Sequence, residues 1–387
     1  ATFFSSPGQV FLISFFIPPM RDELGLSQTV VSGLFFVSTL TSSFLLPFLG
    51  RRLDRERPVR FVMVTGILLM LGCWTLGAAR AAWMLLAGFF LVRNFGQGGL
   101  AMASQTMMAR LEGEYRGKAL GIANLGYPLS EALLPGFVST MITVFGWRAG
   151  WYTIAAMLLV IFLPLVPYLI RHEPRPSKRH PGAPEDLSVP DPEDRSWTVS
   201  SVMKDRRFHL LILPILVTPA FLTALFFHHA AIIGWKRWDP ILLPAGFVVY
   251  AVFRALVSFF SGPLTDRFSA RRIFTWNLVP LTLGVLVLWA ASGPFWIFVY
   301  FAGSGITMGY GMTVGNALYA ELYGTRHLGS IRGMVTTLIV FSTAIAPFVM
   351  GMCLDAGVSL SFILRCMVLV SGLGVYFTHL ALKPVRA

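Results

Sequence analysis

Two charged side chains stand inside long apolar runs of the sequence, where a charge is costly and therefore marks a candidate functional residue. Arg254 lies 12 residues before Asp266, about 18 Å along a helix at ~1.5 Å per residue. Glu131 lies 14 residues after Gly117, about 21 Å along a helix. An arginine offers a planar fork of donors for a carboxylate or phosphate, and a carboxyl group removed from water can load and release protons. We therefore expect Arg254 to bind an anion and Glu131 to carry a proton.

Each of these residues also has a purely structural interpretation. The Arg254 guanidinium could bond to backbone carbonyls or to Glu131 without touching a substrate. Glu131 could equally be the partner of Arg93, which we place at a similar depth in the neighbouring apolar run. Asn124, Tyr127 and Glu131 share one helix face at positions i, i+3 and i+7. That face adds Tyr127 to the predicted substrate site.

Other polar side chains in the apolar runs extend the set of candidates. His228 and His229 follow each other in the seventh run. Histidine titrates in the physiological range, so His228 is a second candidate for proton coupling, and a plain hydrogen-bonding role accounts for it as well. Further polar residues either line a cavity or join helices, and those we assign to the substrate site are Gln9, Tyr310 and Asn316.

The elements that must position these residues are membrane-spanning helices. Of the 387 residues, 55% are hydrophobic and only 13% are charged, too few charges for the surface of a soluble protein. The apolar runs reach about 20 residues or more, enough to cross a ~30 Å hydrocarbon layer, and they lack the period of two that strands show. We predict an all-α membrane protein of twelve transmembrane helices in two pseudo-symmetric six-helix bundles. The predicted spans are 1–20, 28–50, 59–79, 83–109, 117–145, 149–170, 208–234, 241–263, 273–292, 295–322, 328–352 and 359–382.

The net charge of +13 sets the orientation of the spans and implies no nucleic-acid partner. Most Lys and Arg residues fall in the connections after even-numbered spans and in the C-terminal tail, which the positive-inside rule places in the cytoplasm. Trp83, Trp147 and Trp296 fall near the other ends of their spans, as an interfacial belt would. We expect a multi-pass protein of a prokaryotic-type inner membrane with both termini in the cytoplasm.

A polar stretch divides the chain into two parts. Residues 171–207 are rich in proline and charge, which predicts a mobile cytoplasmic linker. Its last part, 196–208, could form a short helix on the membrane surface. The linker separates one bundle at 1–170 from a second at 208–387. The first span begins abruptly at Ala1, so we expect the natural chain to begin earlier.

Several kinds of chemistry lack a signature in this sequence. Cys73, Cys353 and Cys366 all lie within spans and show neither a zinc spacing nor a disulfide framework. No Gly-x-x-x-x-Gly-Lys-Ser/Thr run for a nucleotide and no His-Glu-x-x-His run for zinc occurs. We expect a monomeric protein that is not an enzyme, needs no cofactor and acts on a small-molecule substrate.

A short motif repeats at about half the length of the chain. The two copies, 212 residues apart, read Gly50-Arg-Arg-Leu-Asp54-Arg55 and Gly262-Pro-Leu-Thr-Asp266-Arg267. Each copy is a charged hairpin between two apolar spans. Internal repeats in such surroundings are typical of secondary transporters, which hold their substrate between the halves.

The paired hairpins, the six plus six spans and the central linker resemble the major facilitator superfamily over the whole chain. The run Arg93-Asn-Phe-Gly96-Gln-Gly98 is similar to a signature of that family in the fourth span. The resemblance implies alternating access, in which two bundles rock around a central site. It implies a conformational gating role for Gly50, Asp54, Arg55, Arg93, Gly262, Asp266 and Arg267. The alternative for Asp54 and Asp266 is that they are solvated charges that set topology.

Within that family, the chain most resembles the carriers of monocarboxylates and of oxalate and formate, which use an arginine in the eighth span. Theirs commonly precedes the motif glycine by four residues, where this chain has Ser258, and Arg254 stands eight before Gly262. The lysine that oxalate carriers have in the eleventh span has no counterpart in 335–350. We therefore predict proton-coupled symport of a monocarboxylate-like anion.

Two other functions stay open. The 33 phenylalanines and 16 methionines suit a greasy, adaptable cavity, as in an exporter of amphipathic or drug-like compounds. A transport-inactive sensor or assembly factor on the same fold would show no flux and would bind a partner through the linker at 171–207.

Overall fold

The computed structural model of the chain describes residues 1–109, 124–170, 197–324 and 326–383. Within these ranges the secondary structure is helical and contains no strand, which confirms the all-α prediction. Most of the predicted linker, at 171–196, lies outside the described residues.

The residues described in the first half form six membrane-spanning helices. The first four are α1 (Val10–Glu23), α2 (Gln28–Arg55), α3 (Pro58–Gly77) and α4, which joins Ala82–Leu91, the π-helix Val92–Leu100 and Ala101–Ala109. The next helical run, Gly126–Met157, is broken at Gly146, whose φ of 83° lies in the region that favours glycine. We call the part before the break α5 (126–145) and the part after it α6 (147–170).

The residues described in the second half also form six membrane-spanning helices. They are α7 (Arg206–Phe227, then His229–Lys236), α8 (Leu242–Phe268), α9 (Val279–Ala290, preceded by Ala270–Phe274), α10 (Trp296–Tyr323), α11 (Leu328–Asp355) and α12 (Leu360–Leu382). The short helix Val199–Lys204 precedes them within the region predicted for a surface helix. Its Val202 is buried, and the Trp197 ring lies 5.6 Å from the Tyr323 ring, so this segment packs against the second half.

Local chemistry explains where several of these helices begin. The Ser27 side chain accepts a hydrogen bond from the Val30 N–H and caps α2, and Ser359 caps α12 in the same way through Phe362. Pro58 opens α3 at a position that needs no N–H donor. Eight helical runs in the described residues are long and apolar enough to cross a membrane, and one of these, 126–169, holds both α5 and α6.

Interruptions within the apolar segments coincide with polar residues. The first span starts as the 3₁₀ helix Phe3–Gly8 and gives way to α1 at Gln9, whose φ of −93° and ψ of 144° are extended. The α4 helix is π-helical over Val92–Leu100, and α7 is interrupted at His228, with φ −103° and ψ 19°. Such interruptions leave backbone groups that other protein groups must satisfy within a membrane, and they often lie at binding sites.

Among the described residues, the two halves meet mainly where α2 packs on α11, α5 on α8, and α1 on α7. We call the end where α2 and α8 finish, at Arg55 and Phe268, the motif end, and the other end the opposite end. A Cβ atom added at Gly351, near the opposite end, would lie 2.4 Å from Ser32 Oγ across the interface. A Cβ atom at Gly333, near the motif end, would have no atom of the described residues within 4 Å. The halves are therefore packed tightly at the opposite end.

Candidate functional site

A buried ion pair joins the two halves at the centre of the interface. Nη1 of Arg254, on α8, donates a hydrogen bond to Oε1 of Glu131, on α5. Arg254 is 7% exposed and Glu131 is 4% exposed, so both charges are removed from solvent. The structure thus pairs the two charged residues that stand out most in the sequence. A bond between Arg254 and Glu131 is one of the structural interpretations given above.

Two tyrosines complete the surroundings of this pair. Tyr250 lies one turn before Arg254 on α8, and its hydroxyl oxygen accepts a hydrogen bond from the guanidinium. Tyr127 lies one turn before Glu131 on α5, and its ring centre is 5.6 Å from Arg254 Cζ. Both contacts follow from the i, i+4 spacing, which places side chains on one helix face. Sequence analysis named Tyr127 and missed Tyr250, which the same spacing identifies.

The ion pair leaves one acceptor unused. Oε2 of Glu131 is buried and has no hydrogen-bond donor in the part of the chain that the structure describes. A buried carboxylate oxygen without a donor is unfavourable, and binding a proton there removes the cost. The arrangement therefore offers one anion-binding cation and one proton-accepting oxygen side by side.

Two glycines of α10 allow the α8 backbone to pack closely beside Arg254. A Cβ atom at Gly305 would lie 2.4 Å from the Tyr250 carbonyl oxygen, and a Cβ atom at Gly309 would lie 2.9 Å from the Arg254 carbonyl oxygen. The α8 backbone therefore rests directly on α10 at this point, as small residues at four-residue spacing allow. In the sequence, the four-residue spacing of Gly305 and Gly309 is the signal by which such a close helix contact can be recognised.

Arg93 does not pair with Glu131, which was one of the alternatives from the sequence. It bonds to other groups of the first half. Its Nε donates to Thr39 Oγ1 at 3.0 Å and its Nη1 donates to the Gly8 carbonyl oxygen at 2.9 Å. Gly8 immediately precedes the break at Gln9, so this arginine satisfies a carbonyl at the interrupted first span. Gly8 itself is required there, because a Cβ atom would lie 2.2 Å from the carbonyl oxygen of the π-helical Val92.

The remaining predicted substrate residues are spread more widely. Gln9 is half-buried at the break before α1. Tyr310 packs against the apolar cluster near the motif end that includes Val314 and Leu318. The side chain of Asn316 lies outside the described residues.

His228 lies at the interruption of α7 and bonds within its own half. Its Nε2 is 2.8 Å from the Pro347 carbonyl oxygen of α11. The neighbouring His229 bonds through Nδ1 to the Phe226 carbonyl oxygen at 2.6 Å, and its ring lies 5.0 Å from the Phe15 ring of the other half. These contacts give both histidines a hydrogen-bonding role at the interface.

An aromatic layer closes the interface on the opposite-end side of the ion pair. The Phe247 ring lies 6.1 Å from Phe11 and 5.7 Å from Phe15, and the Phe227 ring lies 5.0 Å from Phe35. Each contact joins one half to the other, and all five side chains are buried. Sequence analysis noted the number of phenylalanines but could not place them in one layer.

A carboxylate joins the halves at the opposite end itself. The Asp355 oxygens, at the end of α11, accept hydrogen bonds from the backbone N–H of Gln28 at 3.2 Å and of Thr29 at 2.7 Å. These two donors lie in the first turn of α2. Beside them the Phe36 and Phe348 rings stack at 5.6 Å. Sequence analysis missed this contact because an acid at a helix end resembles a solvated charge.

The predicted gating residues of the two repeated motifs lie at the motif end, and the gating function of these residues and of Arg93 stays a prediction. Asp54 and Arg55 are exposed at the end of α2, and Asp54 takes part in a polar interaction. A Cβ atom at Gly50 would meet Met102 Sδ at 3.8 Å. In the second copy of the motif, Arg267 Cζ lies 5.2 Å from the centre of the neighbouring Phe268 ring. No atom of the described residues would lie within 4 Å of a Cβ atom at Gly262, and the side chain of Asp266 is not among the parts described.

Two six-helix membrane bundles, with interrupted helices and buried polar residues where they meet, form the architecture of a secondary transporter. A model of the Major Facilitator Superfamily matches residues 1–242 and 230–386 of the chain. The chain belongs to this superfamily, and it is accordingly a multi-pass membrane transporter with the alternating-access fold.

Solved structures agree with this assignment at the level of the fold. A bacterial homologue of the human lysosomal transporter Spinster, in an inward-facing and unoccupied conformation, has a TM-score of 0.75 and 13% identity over 99% of this chain and 95% of its own. The nucleoside transporter NupG, as a single-substitution variant, has a TM-score of 0.72 and 11% identity over 100% of this chain and 97% of its own. No curated protein sequence matches the chain.

Proposed function

We propose that this transporter moves a small monocarboxylate-like anion together with a proton. The observation that carries the proposal is the buried ion pair between Arg254 and Glu131, which belong to different halves. Alternating access requires contacts between the halves that form and break during the cycle. A cross-half ion pair whose cation can accept another anion has this property.

Charge balance gives the reason for coupling. The buried pair is neutral, so an anion that takes the place of Glu131 on the Arg254 guanidinium leaves one unpaired buried carboxylate. An unpaired charge in such a site is strongly unfavourable, and the carboxylate avoids it by binding a proton. Anion and proton together restore a neutral site. The same reasoning disfavours a dianion, because it would require a second proton or a second cation.

The two tyrosines favour a carboxylate as the transported group. Arg254 presents a planar donor fork, and Tyr250 and Tyr127 lie beside it as hydroxyl groups that can bond to the oxygens of the arriving anion. The buried aromatic side chain of Phe247 lies toward the opposite end and is suited to contact the apolar part of a small organic acid.

We propose that the opposite end of the molecule faces outward. The structure, in which the halves are closed at that end, would then be a conformation that opens toward the cytoplasm. The distribution of basic residues supports that orientation, because the motif end carries most of them. The contacts of Asp355 and Phe348 with α2 support closure of the outward end. The protein acts as a monomer in an inner membrane, with both termini in the cytoplasm.

Reconstituted protein tests the substrate and coupling assignments. Proteoliposomes that contain a pH-sensitive dye receive a monocarboxylate such as lactate, with oxalate as the dianion comparison. We expect lactate to drive a change of internal pH that Arg254→Ala abolishes and that Arg365→Ala, which removes an exposed arginine on α12, leaves unchanged. Glu131→Gln should keep lactate exchange and lose accumulation driven by a pH gradient. Uptake left intact by Arg254→Ala would remove the substrate assignment.

A further inference from the structure

A groove on the surface of the second half, at the motif end, collects basic side chains from several elements. It has a volume of about 550 Å³ and lies between the start of α7, the link before α9, and the ends of α10 and α12. The residues that define it are Arg207, Arg271, Arg272, Trp276, His379 and Lys383. Four permanent cations therefore line one concave surface.

The acidic groups nearby do not neutralise these cations. The Glu321 carboxylate accepts hydrogen bonds from the backbone N–H of Ala270 at 2.6 Å and of Arg271 at 3.3 Å. The Asp205 carboxylate accepts from the backbone N–H of Arg207 at 3.0 Å. Both acids therefore serve helix beginnings in this region. Among the described residues, none of the four cations forms an ion pair with a carboxylate.

An exposed tryptophan in the groove indicates the level at which lipid headgroups would meet the hydrocarbon layer. Trp276, which is 62% exposed, stands just before α9, and its ring lies 6.4 Å from the His379 ring near the end of α12. Exposed tryptophan at a helix end is typical of the membrane interface. Leu382 and Leu322 add an apolar part to the lining. The groove thus combines cations for a phosphate with an apolar wall for an acyl chain.

We infer that this groove binds the headgroup of an anionic phospholipid. Arg272 and Lys383 contact the phosphate as unpaired cations, and Arg271 is held in place because its Nη2 donates to the Glu321 carbonyl oxygen at 2.7 Å. Basic pockets between helix ends at the cytoplasmic face are suited to this ligand class. The site is distinct from the ion pair between the halves and is independent of the transported substrate.

Native mass spectrometry of the full chain in detergent tests the inference with defined lipids. Phosphatidylglycerol and cardiolipin are the anionic probes, phosphatidylcholine is the neutral probe, and inorganic phosphate is the soluble competitor. We expect the anionic lipids to stay bound, phosphatidylcholine to be lost, and phosphate at equal concentration to displace neither lipid. The double variant Arg272→Gln, Lys383→Gln should bind phosphatidylglycerol about ten- to thirty-fold more weakly, because each basic residue near a membrane contributes ~1 kcal/mol.

A matched control keeps the test specific. The double variant Arg52→Gln, Arg60→Gln removes two motif-end cations from the first half, where Arg52 already pairs with Glu56 at 2.9 Å. It should retain phosphatidylglycerol as the unmodified protein does. Equal retention of phosphatidylcholine, equal loss in the control variant, or displacement of lipid by phosphate at equal concentration would each overturn the inference. Unchanged melting temperatures of both double variants would show that they fold.

Discussion

Removing the Asp355 carboxylate is expected to open the molecule at the opposite end. Asp355 is the last residue of α11, and a negative charge is unfavourable at the C-terminus of its own helix. Its compensating contacts are the two N–H groups of Gln28 and Thr29 on the other half. The carboxylate therefore stabilises the closed arrangement of the halves more than it stabilises α11.

The size of the effect follows from these two bonds. An exposed carboxylate at a helix N-terminus contributes ~0.3–1 kcal/mol through the helix dipole and up to ~2 kcal/mol in favourable geometry. Because the exposed Asp355 carboxylate also accepts two direct hydrogen bonds, we take ~1–2 kcal/mol for Asp355→Ala, a change of roughly 5- to 30-fold in the ratio of open to closed molecules. Asp355→Asn keeps one acceptor and loses the charge, so its effect should be about half as large in free energy.

Distance measurement by electron paramagnetic resonance detects this shift directly. Spin labels are attached at Arg80→Cys and Ser292→Cys, which are exposed at the opposite end of the first and second half. The three native cysteines are first replaced by alanine. We expect Asp355→Ala to enlarge the population with the longer distance between the labels, and Asp355→Asn to lie between it and the unmodified protein.

The control for this experiment removes a similar carboxylate that acts within one half. Asp239 accepts from the Ile241 N–H at 2.9 Å in the link before α8, so Asp239→Ala should leave the distance distribution unchanged. If Asp355→Ala gave the same distribution as Asp239→Ala, the interpretation of Asp355 as a contact that keeps the halves closed would be wrong.

Two further predictions concern residues that support the site. Arg93→Gln should lower the melting temperature in detergent, because it leaves the buried Gly8 carbonyl oxygen without a donor at a cost of ~1–3 kcal/mol; an unchanged melting temperature would contradict this role. Gly309→Ala should reduce the rate of lactate uptake strongly, because its Cβ atom would stand 2.9 Å from the Arg254 carbonyl oxygen and displace α8. Gly311→Ala is the control, because its Cβ atom has no neighbour within 4 Å in the part of the chain that the structure describes, and equal rates in the two variants would refute the argument.

The number and type of helices could be predicted from the sequence because lipid imposes a simple rule. Each apolar run must satisfy its own backbone, so a run of about 20 residues becomes a helix whatever its neighbours are. The interruptions at Gln9 and at Val92–Leu100 escaped prediction. They depend on the close approach of Gly8 to Val92, which is a contact between two separate spans.

The pairing of Arg254 with Glu131 was only one of the alternatives that the sequence allowed. Counting residues along a helix gives the depth of a side chain in the membrane but not the neighbouring helix that it faces. Arg93 and Arg254 were therefore both possible partners for Glu131 by depth. The contact of α5 with α8 decides between them, and the bonds from Arg93 to Thr39 and Gly8 remove the alternative.

The response of transport to membrane potential tests the central claim most directly. Because the neutral Arg254–Glu131 site takes up one anion and one proton together, transport should carry no net charge. In proteoliposomes with lactate, a pH gradient should drive accumulation, and a potassium diffusion potential set with valinomycin should neither drive nor inhibit it. Accumulation driven by the potential alone, at equal pH on both sides, would contradict the account.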